Sequence, residues 1–216
     1  MSLPKACIFD LDGVIVDTVP AHYVAWKAMA DELNIPFTEE ENEQLKGLSR
    51  IASMRKILEL GNISKSEDEI LHYTTKKNNI YVEIISKMTP EDILPGVLDF
   101  IQLLKDNNVA TAIGSSSKNT PTILKAVGLE ATFDAVVDGN QVTHSKPDPE
   151  VFLKGATRLN VKPEDCVVLE DAISGVEAAK RGGMKCIGVG EASVLKAADI
   201  VVPDLTQLNL ETLRNL

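Results

Sequence analysis

Four polar segments of this chain contain the kinds of side chain that phosphoryl transfer requires. They are Asp10-x-Asp12-Gly13, Gly114-Ser115-Ser116-Ser117-Lys118, Ser145-Lys146-Pro147 and Glu170-Asp171. That reaction needs a nucleophile, a cation that neutralises the phosphoryl oxygens, hydrogen-bond donors and a group that moves a proton. The four segments together supply candidates for each of these tasks.

The carboxylates of the first and last segments are candidates for the nucleophile and for metal binding. Asp10 and Asp171 are hard oxygen donors that could share a Mg²⁺ ion with a substrate phosphate, with Glu170 nearby. If the metal keeps Asp10 ionised as the nucleophile, Asp12 can take up and release a proton. Residues two apart lie on the same side of an extended chain, and Gly13 directly after Asp12 makes a turn plausible there.

Lys146 and Ser115 are the candidate groups for stabilising the phosphoryl oxygens. Lys146 would place a compact positive charge there, and the hydroxyl and backbone N–H of Ser115 would hold the oxygens. Each motif also has a simpler explanation: a polar loop around Ser115 that caps a helix, a solvated lysine at position 146, and a helix cap at Glu170-Asp171. Convergence of all four segments at one edge of a sheet favours the catalytic interpretation.

Six short apolar runs predict the strands that would bring these segments together. The runs are Ala6 to Phe9, Val109 to Ile113, Phe133 to Val137, Val167 to Leu169, Lys185 to Val189 and Ile200 to Val202. Helical patterns lie between them, one beginning with Asp148 as its N-cap and Pro149 in its first turn. This alternation predicts an α/β fold with a doubly wound parallel sheet. Such sheets bind ligands beyond the carboxyl ends of their strands, close to the four polar segments.

Residues 18–90 interrupt the alternation of strands and helices. They contain several helix starts, including the capping boxes Thr38-x-x-Glu41 and Ser66-x-x-Glu69, and no convincing strand. We therefore predict a catalytic core of residues 1–17 and 91–216, with an inserted α-helical cap domain of residues 18–90. Because the insertion follows the first strand directly, we expect it to act as a lid.

Composition narrows the class of protein. The 22 Lys and Arg against 32 Asp and Glu give a net charge of −10, which argues against a nucleic-acid partner. No apolar run approaches the roughly 20 residues that span a bilayer, and charged residues come too early for a signal peptide. We expect a cytoplasmic monomer that does not associate with membranes. Cys7, Cys166 and Cys186 lie in apolar runs, which predicts buried reduced thiols.

The four motifs together resemble those of the haloacid dehalogenase superfamily of phosphotransferases. The matching residues are Phe9-Asp-Leu-Asp-Gly-Val14, Ser115, Lys146-Pro147 and Glu170-Asp171. The resemblance implies a Rossmann-like core, a helical cap and a Mg²⁺ cofactor, with Asp10, Asp12, Glu170 and Asp171 as the metal-binding residues. It also implies an aspartyl-phosphate at Asp10 and acid–base catalysis by Asp12. An aspartate at position 12 argues against a dehalogenase proper.

Within that family the chain looks most like the mutases that act on small phosphorylated sugars. This likeness rests on Asp17-Thr18, His22, Trp26, Lys46-Gly-Leu-Ser-Arg50, Lys77-Asn78, Ser115-Ser-Ser-Lys-Asn119 and Glu170-Asp171. It implies that the substrate-binding residues are Thr18, His22, Lys46, Gly47, Arg50, Lys77, Ser117, Lys118 and Asn119. Arg50 and the 117–119 loop would bind the phosphate distant from the metal. His22 and Lys77 would couple closure of the lid to the positioning of Asp12.

Two features depart from the pattern of those mutases. Val19-Pro20 precedes His22 where polar residues are expected, and the pair Lys76-Lys77 leaves two possible registers for the cap lysine. We assign that lysine to Lys77 because an asparagine follows it.

Three functional hypotheses remain open at this point. The chain is a sugar-phosphate mutase, a Mg²⁺-dependent phosphatase of small sugar phosphates, or a silent binding protein that has kept the fold. The third ranks last because Asp10, Lys146 and Asp171 are all present. Without the resemblance, His22 would be an ordinary helix residue, and Trp26 is best explained by packing. The identity of the sugar and the isomer of the Lys146-Pro147 bond stay open.

Overall fold

A computed structural model describes residues 2–46 and 48–216. These residues form one sheet of six strands: β1 (Ala6–Phe9), β2 (Ala110–Gly114), β3 (Ala135–Val137), β4 (Cys166–Glu170), β5 (Lys185–Val189) and β6 (Ile200–Val202). The strand order is β3-β2-β1-β4-β5-β6, and all neighbouring strands are parallel. The predicted parallel α/β sheet is confirmed, and every predicted run contains a strand or most of one.

β3 begins at Ala135, later than the apolar run starting at Phe133 suggested. Asp134 accounts for the difference. Its backbone N–H donates to the Thr111 carbonyl over 2.9 Å, while its Oδ2 accepts the Thr111 N–H over 2.8 Å. A side-chain oxygen thus takes the place of a main-chain carbonyl, and regular pairing starts only at the next residue.

Helices form most of the connections between the strands and most of the inserted segment. Their bounds are α1 (Val19–Glu32), α2 (Glu39–Glu43), α3 (Arg50–Leu60), α4 (Glu67–Ile85), α5 (Val97–Asp106), α6 (Thr120–Ala126), α7 (Glu150–Arg158), α8 (Ile173–Arg181) and α9 (Leu210–Arg214), with 3₁₀ turns at Pro90–Asp92, Pro163–Asp165 and Leu205–Gln207. Both predicted capping boxes are present, at the starts of α2 and α4. Among the described helices, none combines the length and the apolar character needed to cross a bilayer.

The start of α7 differs by one residue from the prediction. Pro149 is the N-cap, so it does not lie inside the first turn as expected. Asp148 precedes the cap, and its Oδ1 accepts the Glu150 N–H over 2.9 Å. The side chain of Asp148 therefore still satisfies one of the unpaired amides at the helix start.

The order of the strands reverses at β1, which has β2 on one side and β4 on the other. Phe9 at the end of β1 is in register with Ile113 of β2 and with Leu169 of β4. The residues that follow these three therefore emerge side by side at one edge. This is the topological switch point at which open parallel sheets bind ligands.

Side chains on both faces of β1 anchor the sheet to its helices. Phe9 packs on one face against Phe100 of α5 and against Phe133, with ring centroids 6.1 and 5.8 Å away. Ile8 points to the other face and belongs to a buried cluster with Phe152 of α7. Because every residue of β1 is buried, the side chain that follows the strand starts from a rigid backbone.

The chain divides into two compact units. One combines the residues up to Asp17 with Thr89–Leu216 and contains the sheet, and the other, Thr18–Met88, contains α1 to α4. The second unit has an apolar core of its own, which includes Trp26. The division falls two residues before the predicted boundary at residue 90, because Thr89 caps the 3₁₀ turn Pro90–Asp92.

The cysteines are free and buried, as predicted. Burial raises the pKa of the Cys166 thiol to about 11 and that of the Cys186 thiol to about 12. Burial also raises the pKa of Cys7. All three thiols are therefore protonated near neutral pH and are poor nucleophiles.

Candidate active site

A buried lysine lies at the centre of the switch-point edge. The Nζ atom of Lys146 is 2.6 Å from Oδ1 of Asp10 and 2.6 Å from Oε1 of Glu170. The side chain of Lys146 is only 7% exposed, and its ammonium lies 4.7 Å from the centre of the Phe152 ring. The structure thus brings together three of the predicted site residues, and the aromatic ring adds a favourable cation–π contact.

The register of the sheet explains why Asp10 and Glu170 are neighbours. Phe9 is aligned with Leu169, and the Asp10 N–H donates to the Leu169 carbonyl over 2.9 Å. Glu170 is the last residue of β4, and its Oε2 accepts the Ala172 N–H just before α8 at 2.6 Å. The carboxylate of Glu170 therefore bridges a helix N-terminus and Lys146.

Burial and mutual attraction set the charges of this network. Burial by itself would lower the pKa of Lys146, but the carboxylates of Asp10 and Glu170 outweigh it and raise that pKa above its ordinary value. Burial raises the pKa of Glu170, and the Lys146 ammonium opposes that rise. The lysine is therefore a permanent cation at the edge of the sheet, available to neutralise an incoming anion.

Three of the predicted metal ligands converge. Oxygen atoms of Asp10, Glu170 and Asp171 lie within 4.8 Å of one another. All three are hard carboxylate donors of the kind that Mg²⁺ prefers, so the donor set fits the predicted ion. Asp12 is not a member of this group, and its predicted part in metal binding stays a prediction.

The chain turns directly after Asp12, at the glycine where the sequence suggested a turn. Gly13 has φ +79°, and its N–H donates to the Val16 carbonyl over 2.7 Å. A Cβ atom at position 13 would lie 2.2 Å from Oδ2 of Asp171. Glycine is therefore needed for two reasons, the left-handed backbone and the close approach of a candidate metal ligand.

Gly175 makes similar room for Glu170, and we expect Gly175→Ala to disable the network. A Cβ atom there would lie 1.7 Å from Oε1 of Glu170, so the carboxylate must leave Lys146. Displacing a group that orients metal ligands typically costs about 10- to 100-fold in metal affinity or activity. Titration with Mg²⁺ and turnover assays measure the loss.

The control for that substitution is Gly155→Ala, also within a helix of the core unit. A Cβ atom at position 155 would have the flexible side chain of Ile8 as its nearest neighbour, at 3.3 Å, so Mg²⁺ affinity should be unchanged. Equal Mg²⁺ affinity in Gly175→Ala and the unmodified protein would contradict the role given to Glu170.

The loop after β2 differs in one respect from the prediction. The backbone N–H of Ser115 donates to the Val137 carbonyl of β3 over 3.0 Å, so the sheet already uses this amide. It is not the phosphoryl donor that we expected. The hydroxyl keeps that predicted role, because Oγ accepts the Ser117 N–H over 3.1 Å and still has a proton to donate.

The rest of this loop is held by a neighbouring turn. Oγ of Ser117 accepts the Asn119 N–H over 3.2 Å, and the exposed Lys118 lies between them. The Gly139 N–H donates to the Ser117 carbonyl over 3.1 Å, and Nδ2 of Asn140 donates to the Lys118 carbonyl over 3.0 Å. The backbone of the predicted anion-binding loop is therefore fixed before any ligand arrives.

In the cap unit, two predicted residues form a partly buried pair. Nζ of Lys77 lies 2.8 Å from Nδ1 of His22, and the ammonium is 4.8 and 4.4 Å from the ring centres of Trp26 and Tyr81. Lys76 instead forms an ion pair with Glu32 near the surface. The two candidate lysines therefore have different surroundings, and Lys77 is the one packed against the histidine.

The neighbours of His22 keep its imidazole neutral. Burial, together with the positive charges of Lys77 and Arg50, lowers its pKa well below the usual 6.5. Because the Lys77 ammonium can only donate, Nδ1 must be the acceptor, which puts the proton on Nε2. His22 thus offers one oriented N–H donor.

We expect this histidine to make stability depend on pH. An imidazole whose pKa is lower in the folded state than in the unfolded state stabilises the fold when the pH is above the unfolded-state pKa. This stabilisation is lost as the pH falls below the ordinary histidine value of 6.5. Between about pH 7.5 and about pH 5.5, the unmodified protein should lose on the order of 1 kcal/mol of unfolding free energy more than His22→Gln does. Urea unfolding at several pH values measures the difference, and His72→Gln, at an exposed site of the same unit, is the control. Parallel curves for His22→Gln and the unmodified protein would contradict the assignment.

The other predicted cap residues occupy varied positions. Thr18 is buried, and its carbonyl accepts the His22 N–H over 2.9 Å at the start of α1, where Pro20 fits the first turn. Arg50 is the half-buried first residue of α3, and burial lowers its pKa. Lys46 is exposed and pairs with Glu43 at 2.9 Å. The predicted residue Gly47 lies outside the described residues.

Sequence reasoning missed several groups of this site. Phe152 lies under the Lys146 ammonium, the Ala172 amide holds Glu170, and Gly175 leaves space for that carboxylate. Of these three groups, only Gly175 could have been noticed in the sequence, as a glycine in the first turn of the helix that follows Glu170-Asp171. The Lys146–Pro147 peptide, whose isomer was left open, is cis.

The chain resembles known proteins over most of its length. Residues 4–183 match the family described as haloacid dehalogenase-like hydrolase. A β-phosphoglucomutase of Bacillus subtilis (strain 168) is 42% identical over 214 residues, which are 97% of this chain and 93% of that protein. The crystal structure of β-phosphoglucomutase from Clostridium difficile has a TM-score of 0.92 and 40% identity, covering 99% of this chain and 96% of that one.

A phosphatase is also among the relatives. The phosphorylated carbohydrates phosphatase of Thermotoga maritima is 33% identical over 185 residues, covering 85% of this chain and 83% of that protein. The match over residues 4–183, taken with the sheet and the converging carboxylates described above, settles the family. The chain belongs to the haloacid dehalogenase-like hydrolase family.

Proposed function

We propose that this protein is a Mg²⁺-dependent mutase that interconverts β-D-glucose 1-phosphate and glucose 6-phosphate. The observation that carries phosphoryl transfer is the buried Lys146, 2.6 Å from both Asp10 and Glu170 at the switch-point edge. This arrangement supports the proposal, because a nucleophile, a cation and metal ligands would then lie side by side. The choice of a mutase rests on the likeness to two β-phosphoglucomutases at 42% and 40% identity.

Asp10 is the nucleophile in this proposal. In its phosphorylated form it passes the phosphoryl group to the 6-hydroxyl of the sugar phosphate, while Asp12 removes the hydroxyl proton. The resulting bisphosphate then reorients in the site so that its C1 phosphate faces Asp10. Asp10 accepts that phosphoryl group, while Asp12 returns the proton to the leaving oxygen on C1. The cycle ends with glucose 6-phosphate and regenerates phosphorylated Asp10, so no phosphate is consumed. Undiminished turnover in Asp12→Asn would remove Asp12 from this scheme.

The remaining residues stabilise and orient the phosphoryl group. Lys146 neutralises its developing negative charge, and the Ser115 hydroxyl donates a hydrogen bond to one oxygen. Asp10, Glu170 and Asp171 would hold the Mg²⁺ ion, which supplies further positive charge to the phosphoryl oxygens when it is bound. None of these groups distinguishes a sugar hydroxyl from water.

Residues outside this centre would give the preference for sugar over water. Excluding water from the phosphoenzyme is what separates a mutase from a phosphatase. We assign the second phosphate of the bisphosphate to Arg50, Ser117, Lys118 and Asn119, and the sugar to Thr18, His22, Lys46, Gly47 and Lys77. Support for the loop residues comes from the pre-formed backbone around Ser117 and Lys118.

A direct assay separates the mutase from a phosphatase. The protein is incubated with Mg²⁺, β-glucose 1-phosphate and a trace of glucose 1,6-bisphosphate, and both glucose 6-phosphate and free phosphate are measured. We expect glucose 6-phosphate with little free phosphate, and no product in EDTA. Release of phosphate at a comparable rate would instead favour a phosphatase of small sugar phosphates, and the Thermotoga relative is named as a phosphatase of phosphorylated carbohydrates.

A further inference from the structure

The segment that precedes Lys146 is tied to helix α7 by one carboxylate. Oε2 of Glu150 accepts the backbone N–H groups of Thr143 and His144, over 2.9 and 2.8 Å. Oε1 of the same residue lies 2.5 Å from Nζ of Lys154, which also donates to the Gln141 carbonyl over 2.6 Å. Glu150 and Lys154 thus hold the backbone at three points of the loop that carries Lys146.

The position of this pair on α7 explains its reach. Glu150 is the first residue of the helix, where a negative charge interacts favourably with the free N–H groups. Lys154 follows four residues later on the same face, the spacing at which helix ion pairs form. Asp148 completes the loop, because its N–H donates to the Ser145 carbonyl over 3.1 Å. The backbone on both sides of Lys146 is therefore anchored.

A metal site is a less favourable explanation of the same residues. His144, Asp148 and Glu150 offer ligand atoms within 4.8 Å of one another. However, the Lys154 ammonium already contacts one oxygen of Glu150, and two amides occupy the other. A cation would have to displace these donors and approach a fixed positive charge.

We infer that Glu150, supported by Lys154, is a positioning residue for Lys146. The inference rests on the proposed function, in which Lys146 neutralises the transferring phosphoryl group. His144, bound by Glu150, lies only two residues before Lys146, so release of its amide lets the lysine backbone shift. A misplacement of about 1 Å at a reacting centre can cost about 100-fold in rate.

The charge of Glu150 persists under all practical assay conditions. Lys154 and the bound amides lower the pKa of this carboxyl to about 2. The substitution Glu150→Gln keeps one acceptor oxygen for the loop amides but loses the attraction to Lys154.

Kinetics of matched variants test the inference. We expect Glu150→Ala to lower kcat by about 10- to 100-fold with little change in KM, because the lysine acts on the transition state. Glu150→Gln and Lys154→Met should show smaller losses in the same direction, and both keep the size of the side chain if the alanine variant fails to fold. The control is Glu83→Gln in α4, whose i,i+4 pair with Lys87 is exposed, and which should leave kcat unchanged.

A double variant distinguishes positioning from a general structural effect. If Glu150 acts through Lys146, adding Glu150→Gln to Lys146→Met should lower kcat no further. Losses that multiply would overturn the inference, and so would an unchanged kcat in Glu150→Gln and Lys154→Met. If Lys146→Met itself keeps full activity, the proposed function fails instead, so the two failures are distinguishable.

Chemical labelling gives a readout that does not depend on turnover. Lys146 has a side chain only 7% exposed, so reductive methylation should modify it slowly in the unmodified protein. We expect faster methylation of Lys146 in Glu150→Gln, measured by peptide mass spectrometry, and no change in Glu83→Gln. Equal protection in both variants would count against the inference.

Discussion

Replacing Asp10 with asparagine is expected to abolish turnover, by on the order of 10⁴-fold or more, because an amide cannot form an acyl phosphate. The substitution keeps the size of the side chain and an oxygen that can accept from Lys146, which now lies 2.6 Å from Oδ1. Loss of activity therefore reports chemistry and not collapse of the site. Turnover with β-glucose 1-phosphate and trapping of the phosphoenzyme with labelled bisphosphate and acid quench are the two measurements.

A matched aspartate serves as the control for this experiment. Asp204 lies in the same unit, and its Oδ1 accepts the Thr206 N–H over 2.8 Å as a helix cap. Asparagine is nearly as good a cap, so Asp204→Asn should keep full activity. An acid-stable, hydroxylamine-sensitive label that forms equally in Asp10→Asn and the unmodified protein would place the phosphoryl group elsewhere.

Replacing Lys146 with methionine should affect stability as well as catalysis. The change leaves the carboxylates of Asp10 and Glu170 buried without their shared cation, and breaking such a buried pair costs about 3–5 kcal/mol. Turnover should fall by about 100-fold or more, because the charge on the transferring group loses its nearest fixed partner. Urea unfolding in EDTA measures the loss of stability, and added Mg²⁺ should recover part of it.

The pH dependence of this variant has a definite sign. Burial already raises the pKa of Glu170, and removing the Lys146 ammonium, which lowers it, raises it further. A carboxyl whose pKa is higher in the folded state than in the unfolded state stabilises the fold when the pH is below the unfolded-state pKa. That stabilisation is lost as the pH rises through the folded-state pKa. The loss of unfolding free energy in Lys146→Met should therefore become smaller as the pH is lowered towards the pKa of an ordinary glutamate. Lys87→Met, in an exposed pair, is the control, and a similar small loss in both variants would contradict the buried network.

Local patterns were sufficient to predict the elements of this fold. The apolar run that ends at Asp10 became β1, and the capping box at Ser66 begins α4 as expected. These features depend on side-chain periodicity and on hydrogen bonds between residues three apart, which a linear sequence contains directly. The convergence of Asp10, Lys146 and Glu170 followed from the parallel topology, since parallel strands end at a common edge.

Other features depended on contacts between distant segments. The sequence of the Ser115 loop could not reveal that its first amide belongs to β3, because that bond depends on the register between β2 and β3. The same holds for the pairing of Lys77 with His22, 55 positions away, and for the distance between Lys146 and Asp10, which are 136 positions apart.

The amino-acid sequence by itself determined the six strands and most helix starts, the inserted helical segment and the candidate carboxylates and lysine of the site. Only the tertiary structure decided which donors remain available to a ligand and which are used to hold the loops. Glu150 illustrates the difference, because both of its carboxylate oxygens are engaged within the fold. One accepts hydrogen bonds from two backbone amides, and the other contacts the Lys154 ammonium. The physical reason is that each buried polar group must find a partner, and packing rather than sequence spacing selects that partner.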